Sequence, residues 1–327
     1  MLLLPHAREM SMPSCLLEPL VVENATRRQL LGVIGAAGLL GACGREPAAP
    51  TSTGGSRSVV TPLGGYDIPT TPRSVLAVDS RVDLETAVAL GLPVSATTLR
   101  APAPWVPAPA DLPVLSGPVD DEQVYALRPD LIVCSGEDDG EYWPTARLQR
   151  IAPVLPTSFE SPWRTDLQRV AAWLDAGPRA DAAIAEFDRV AAEVRARHAA
   201  ALAARRVLVV QWVPSKGTFV VNTRGRMQQQ VLADLGGVLF GSERDYAAHE
   251  EVPLELVGQF ADADGIYLQN LSSEPTLASM VELPVWRDLP AVRAGRVVES
   301  PGNVNYGSVY SAIRIARDWD ALYRLLA

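Results

Sequence analysis

Between residues 59 and 327, short uninterrupted apolar runs alternate with stretches in which apolar residues return every three or four positions. The first pattern is that of buried strands and the second that of amphipathic helices. It predicts strands at 74–78, 93–98, 130–134 and 152–155, with helices at 83–90 and 121–127. A second series predicts strands at 207–212, 218–221, 265–269 and 296–299, with helices at 228–235, 254–259, 289–294 and 308–326. Strands and helices in alternation build parallel sheets, so the expected fold class is α/β with two Rossmann-like lobes.

Two helical patterns lie between the series, at 163–175 and 179–204, separated by Gly177-Pro178. The second would run about 40 Å at about 1.5 Å per residue, more than twice the mean helix length, and is expected to be a long rigid helix joining the lobes with a ligand cleft between them. A weak echo relates the lobes. Glu122 opens a helix that leads to Asp130 at a strand entrance, and Glu255 opens one that leads to Asp264 at another.

Length and composition agree. A chain of 327 residues exceeds what one core usually supports, and 48% hydrophobic with 20% charged residues is a globular profile. Ahead of the lobes, Thr26-Arg27-Arg28-Gln29-Leu30-Leu31 opens an apolar run that ends at Leu40-Gly41-Ala42-Cys43. Paired arginines, a run too short to span a bilayer, and small residues before a cysteine form an export signal. The motifs resemble a twin-arginine signal and a bacterial lipobox, which implies cleavage before Cys43, lipidation of its sulfur, and anchoring to the outer face of the cytoplasmic membrane. The expected organisation is therefore a signal at 1–43, a flexible Pro/Gly/Ser tether at 44–58, a first lobe at 59–160, the helical linker at 161–205 and a second lobe at 206–327.

Charge and cysteine use sharpen this picture. Arg8, Arg27 and Arg28 balance Glu9, Glu18 and Glu23 in the leader, so the net charge of −9 belongs to the exported part and opposes nonspecific nucleic-acid binding. Cys15 leaves with the leader and Cys43 is the anchor, which leaves Cys134 as one free thiol and no disulfide.

Loops after strand C-termini are where open α/β sheets bind ligands. In the first lobe they carry Arg100, Trp105, Glu137, Asp138, Tyr142 and Trp143. In the second they carry Trp212, Asn222, Arg224, Arg226, Met227, Asn303, Asn305 and Tyr306. Guanidinium forks suit oxygen-rich anionic chelates and aromatic faces cover flat apolar bodies, so Arg100, Trp105, Tyr142, Trp143, Trp212, Arg224, Arg226 and Tyr306 are the candidate ligand residues. A free-metal site would want clustered imidazoles, but beyond the leader there are only His198, expected on the exposed side of the linker helix, and His249. His249, Tyr246 or Tyr306 could still serve as an axial ligand to haem. The rival class is an α/β enzyme using Cys134 at a strand end, although no nucleophile elbow, Walker loop or dinucleotide fingerprint accompanies it.

Stretches 73–92, 122–133, 148–154, 231–236, 261–267 and 286–298, in this order and spacing, carry a family likeness. Among their signatures are Ala89-Leu90-Gly91-Leu92-Pro93 and Ile151-Ala152-Pro153. The chain resembles the helical-backbone solute-binding proteins of ABC importers for ferric siderophores, haem and vitamin B12. The resemblance implies a monomer without catalytic activity or resident cofactor, whose shallow cleft closes little. Its implied ligand is a ferric siderophore, with haem and cobalamin as alternatives. It also implies two permease-docking carboxylates, here Glu122 and Glu255, with Glu251 a nearby substitute.

Overall fold

Val75-Leu76-Ala77-Val78 and Leu131-Ile132-Val133-Cys134 are buried at every position, as strands covered on both faces must be. The computed structural model describes residues 55–136, 139–222, 227–241, 249–271, 276–301 and 304–327. All lie in one compact unit, Ala49–Ala327. Cys43, Glu137, Asp138, Arg224, Arg226, Tyr246 and Asn303 fall outside the described residues.

A hairpin of β1 (Ser56–Thr61) and β2 (Gly64–Pro69) comes first, so pairing begins within the stretch expected to be tether. The first lobe follows as β3 (Val75–Asp79), α1 (Val82–Ala89), β4 (Val94–Thr98), β5 (Val114–Leu115), α2 (Asp121–Leu127), β6 (Leu131–Ser135), α3 (Thr145–Leu148) and β7 (Val154–Thr157). Its sheet is parallel throughout, in the order β5-β4-β3-β6-β7.

The linker consists of α4 (Trp163–Leu174) and α5 (Gly177–Ala204). Gly177-Pro178 does not separate two helices but forms the first turn of α5, where a proline lacking its N–H loses no bond. The buried stripe Phe187, Ala191, Val194, His198 and Leu202 advances by three or four residues along one face. His198 is thus buried rather than exposed. Its Nε2 meets Asp320 Oδ1 at 2.8 Å, and α5 departs from helical geometry there, at φ −119° and ψ 19°. Burial alone would raise the Asp320 carboxyl, but bonds from His198 and Arg197 leave it below its usual range.

The second lobe contains β8 (Arg206–Val213), β9 (Thr218–Asn222), α6 (Met227–Leu235), β10 (Val238–Leu239), β11 (His249–Pro253) and a 3-10 helix, Leu254–Phe260. It continues with β12 (Gly265–Gln269), α7 (Thr276–Met280), α8 (Pro284–Arg287), α9 (Pro290–Arg293), β13 (Val297–Glu299), a 3-10 turn (Val304–Tyr306) and α10 (Val309–Leu325). β8 pairs in parallel with β10 and β12, β12 with β13, and an antiparallel β9-β11 pair extends the other side.

The echo between lobes has a physical basis. The Asp130 carboxylate accepts the Arg73 and Ser74 amides at 2.9 and 3.0 Å, tying the entrance of β6 to that of β3. Asp264 accepts the Arg206 amide at 2.8 Å and does the same for β12 and β8.

One continuous core runs from Val75, Leu84 and Leu131 through α4, α5 and α10 to Val207 and Tyr267. A polar clasp supplements it. The Glu85 carboxylate of α1 accepts the Ser308 and Ser311 amides at 2.7 and 2.9 Å, at the start of α10, and the Ser311 hydroxyl at 2.5 Å. Gly307 permits this approach, because a Cβ there would stand 2.1 Å from Ser311 Oγ and 2.6 Å from Glu85 Oε1. Gly307→Ala is expected to cost about 1–3 kcal/mol through overpacking, read as a lower midpoint in calorimetry. An unchanged midpoint would show that the clasp is not close-packed.

Candidate functional site

Loops following β3, β4, β6 and β7 share one edge of the first sheet, and that edge is built on a buried acidic shelf. Asp83 is fully enclosed and accepts the Asp79 amide at 2.8 Å, the Ser135 amide at 3.0 Å and the Thr157 hydroxyl. These bonds bind the ends of β3, β6 and β7 together. Burial, and then the neighbouring charge of Asp79, push the Asp83 carboxyl well above its usual range.

Asp79 in turn holds Arg81 in a two-pronged ion pair, receiving Nε at 3.0 Å and Nη2 at 2.8 Å. So fixed, the guanidinium carbon lies 4.8 Å from the ring centroid of Tyr306 and 5.6 Å from that of Phe159. Among the described residues Nη1 receives no partner. A rigidly placed cation with a spare donor is suited to an anionic oxygen.

Four rings continue outward from this arginine. Tyr306 meets Phe159 at 5.3 Å, Phe159 meets Trp143 at 5.3 Å, and Trp143 meets Tyr142 at 6.1 Å, the first two contacts edge-to-face. Tyr306 follows β13 of the second lobe, whereas Phe159 follows β7 of the first, so the row crosses from lobe to lobe. A small pocket beside it is lined by Ser158, Phe159 and Trp163 on one side and by Met227, Gln230 and Tyr306 on the other. The Gln228 amide steadies the Tyr306 segment by donating to Asn305 Oδ1.

Of the sequence candidates, Tyr142, Trp143 and Tyr306 thus come together. Arg100 is exposed at the end of β4, after Leu99 has turned the chain at a φ of 71°. Trp105 is half-buried, donates from Nε1 to Ser311 Oγ at 3.2 Å and lies under Arg314, which straps its loop to α10. Trp212 packs on Phe219 at 4.8 Å and covers the second lobe's own core. Arg81 and Phe159 are the residues that sequence reasoning missed. Both sit in loops that follow strand C-termini, directly after the buried runs ending at Asp79 and Thr157.

Cys134 is fully buried in β6. Burial, then the charges of Asp83 and Asp79, push its thiol well above the usual range, so it is not available as a thiolate nucleophile at neutral pH.

The carboxylates of Glu122 and Glu255 are both exposed and pair with no side chain among the described residues, whereas Glu251 is paired with Lys216 at 2.5 Å. Glu122 lies in the first turn of α2, whose capping residue Asp120 accepts its amide at 2.8 Å.

Several solved structures share this architecture. A periplasmic solute-binding protein of Mycobacterium smegmatis superposes with a TM-score of 0.68 at 21% identity, covering 84% of this chain and 99% of that one. FhuD of Vibrio cholerae, a siderophore-binding protein solved with Fe3+-Desferal, gives a TM-score of 0.64 at 17% identity, over 78% of this chain and 99% of its own. The siderophore periplasmic binding protein from the fuscachelin gene cluster of Thermobifida fusca gives 0.59 at 23%, over 79% and 98%. At such identities the likeness establishes the fold of two lobes joined by a helix. No curated protein matches the chain. The family model for periplasmic binding proteins, however, matches residues 103–304, more than half of the sequence, and the chain belongs to the periplasmic binding protein family.

Proposed function

We propose that the protein captures a ferric siderophore in the cleft between its lobes and hands it to the permease of an ABC importer. The observation that carries this is Arg81, pinned by Asp79 and stacked on a row of aromatic rings that spans both lobes. Its Nη1, unpartnered among the described residues, suits the oxygen-rich shell of a chelate, and the rings suit the chelate's apolar body. Arg224 and Arg226, which precede the pocket residue Met227 in sequence, are proposed to add positive charge from the second lobe, and Arg100 from the first. Similarity in fold to proteins named as siderophore binders supports the same reading.

Delivery is assigned to Glu122 and Glu255, with a lipid on Cys43 holding the chain at the outer face of the membrane. Exchanging both glutamates for lysine in the native host should abolish uptake of radio-iron presented as the bound siderophore while leaving its affinity unchanged, since charge complementarity sets register and on-rate. Normal uptake by the double variant would remove the docking assignment. Cys43→Ser should move the protein from the membrane to the soluble fraction and end its labelling by radioactive palmitate. Unchanged labelling would place any lipid elsewhere.

A further inference from the structure

Large apolar side chains on a soluble surface are ordinary one at a time. Apart from Val60, the two most exposed among the described residues are Leu256 at 59% and Tyr125 at 56%. Tyr125 stands three positions after Glu122 on α2, hence on the same face of the helix, and Leu256 directly follows Glu255. In both elements the residue between or beyond, Val124 or Val257, is buried and fixes which side looks outward.

These two pairs occupy equivalent places. α2 leads into β6, which pairs with β3, and the 3-10 helix leads into β12, which pairs with β8. Each path enters its strand through an aspartate bonded to the start of the partner strand, Asp130 or Asp264. Both pairs also lie at the ligand edge. β5 pairs with the C-terminal end of β4 before the chain turns into α2. Pro253, two residues before Glu255, pairs with Thr218, and Thr218 pairs with Val213 at the C-terminal end of β8. A partner lying over the mouth of the cleft therefore meets a carboxylate with an apolar neighbour twice, once on each lobe.

We propose that Tyr125 and Leu256 are the apolar anchors of a two-point docking surface, and that its occupant is the permease, presenting a basic side chain beside an apolar recess on each of two related halves. This rests on the docking assignment of Glu122 and Glu255. Exposed ion pairs contribute little to affinity on their own, so two carboxylates set register while an aromatic and an aliphatic side chain supply the burial that holds the complex. Repetition of the pair on two equivalent lobes is what points to a partner built of two equivalent halves.

The test places a benzophenone-bearing amino acid at positions 122, 125, 255, 256 and 60, one at a time, in the full chain in its native host. Val60 is the control, since its hairpin bonds through Tyr66 to Val154 at the start of β7, the opposite edge. The proposal predicts photo-crosslinks from 125 and 256 to subunits of one polytopic permease, identified by mass spectrometry, and none from 60. Tyr125→Ala combined with Leu256→Ala should lower the crosslink yield from position 122 about tenfold, the scale of losing interface anchors. Crosslinks from 122 and 255 without any from 125 and 256 would overturn the anchors and leave the glutamate docking standing. Silence from all four positions would remove both, and crosslinks from 125 and 256 to unrelated proteins would overturn the shared partner.

Discussion

Replacing Glu85 with alanine is expected to lower the thermal unfolding midpoint by roughly 4–24 °C, because two buried amides lose their acceptor at about 1–3 kcal/mol each, and about 1 kcal/mol moves a domain of about 150–250 residues by about 2–4 °C. The amides are those of Ser308 and Ser311, and the Ser311 hydroxyl loses its partner with them. Glu85→Gln keeps an acceptor in place and should retain most of the stability. The two variants also separate in their response to pH. Burial, the largest influence, raises the Glu85 carboxyl above the ordinary glutamate range, against the hydrogen bonds that lower it. A group raised on folding contributes stability that is complete below its unfolded value and is lost as pH rises through its folded one. The midpoint of the natural protein should therefore fall across that interval, and Glu85→Gln should remove this part of the fall. A Glu85→Ala midpoint within a degree of the natural protein's would mean that the Glu85 clasp contributes nothing to joining α1 to α10.

Arg81→Gln is expected to weaken ferric-siderophore binding roughly ten- to a hundredfold, the consequence of losing a charge-assisted bond of about 1.5–3 kcal/mol. Titration of each variant checks this. Because Asp79 is buried and loses its partner in this variant, Tyr306→Ala serves as a second probe that leaves the ion pair intact. It should also weaken binding, through loss of the ring beneath the guanidinium. Arg81→Lys keeps the charge but not the two-pronged geometry, and is expected to fall between the natural protein and Arg81→Gln. Unchanged affinity in folded Arg81→Gln and Tyr306→Ala proteins would move the ligand away from this row.

The central strands were legible because burial on both faces leaves an uninterrupted apolar run, as in β3, β6 and β12. Elements at the margins were not. β1 begins Ser56-Arg57-Ser58, which differs little from a tether, and β5 and β10 are two residues long and carry no period. β11 reads His249-Glu250-Glu251-Val252-Pro253 and, among the described residues, pairs only with β9, so its polarity is that of an edge strand. The burial of His198 could have been found, since it continues the stripe from Phe187 to Val194 and on to Leu202. In the candidate site, sequence reasoning reached Tyr142, Trp143 and Tyr306 through their loops. It passed over Arg81, which looks like an ordinary polar helix entrance until Asp79 and Tyr306 converge on it. Trp105 and Trp212 have the expected residue type, but an indole is equally suited to joining a loop to a helix or covering a core, and sequence does not distinguish these uses.

The most direct test of chelate capture is a tryptophan-fluorescence titration of the chain from Arg45 onward with ferric siderophores, their iron-free forms, haemin and cyanocobalamin. Trp143, in the aromatic row, and Trp163, in the pocket wall, are placed to report an occupant. The predicted result is submicromolar quenching by one ferric siderophore and none by its iron-free form. Quenching by haemin or cyanocobalamin alone, or no response across the panel, would contradict capture of a ferric siderophore at this site.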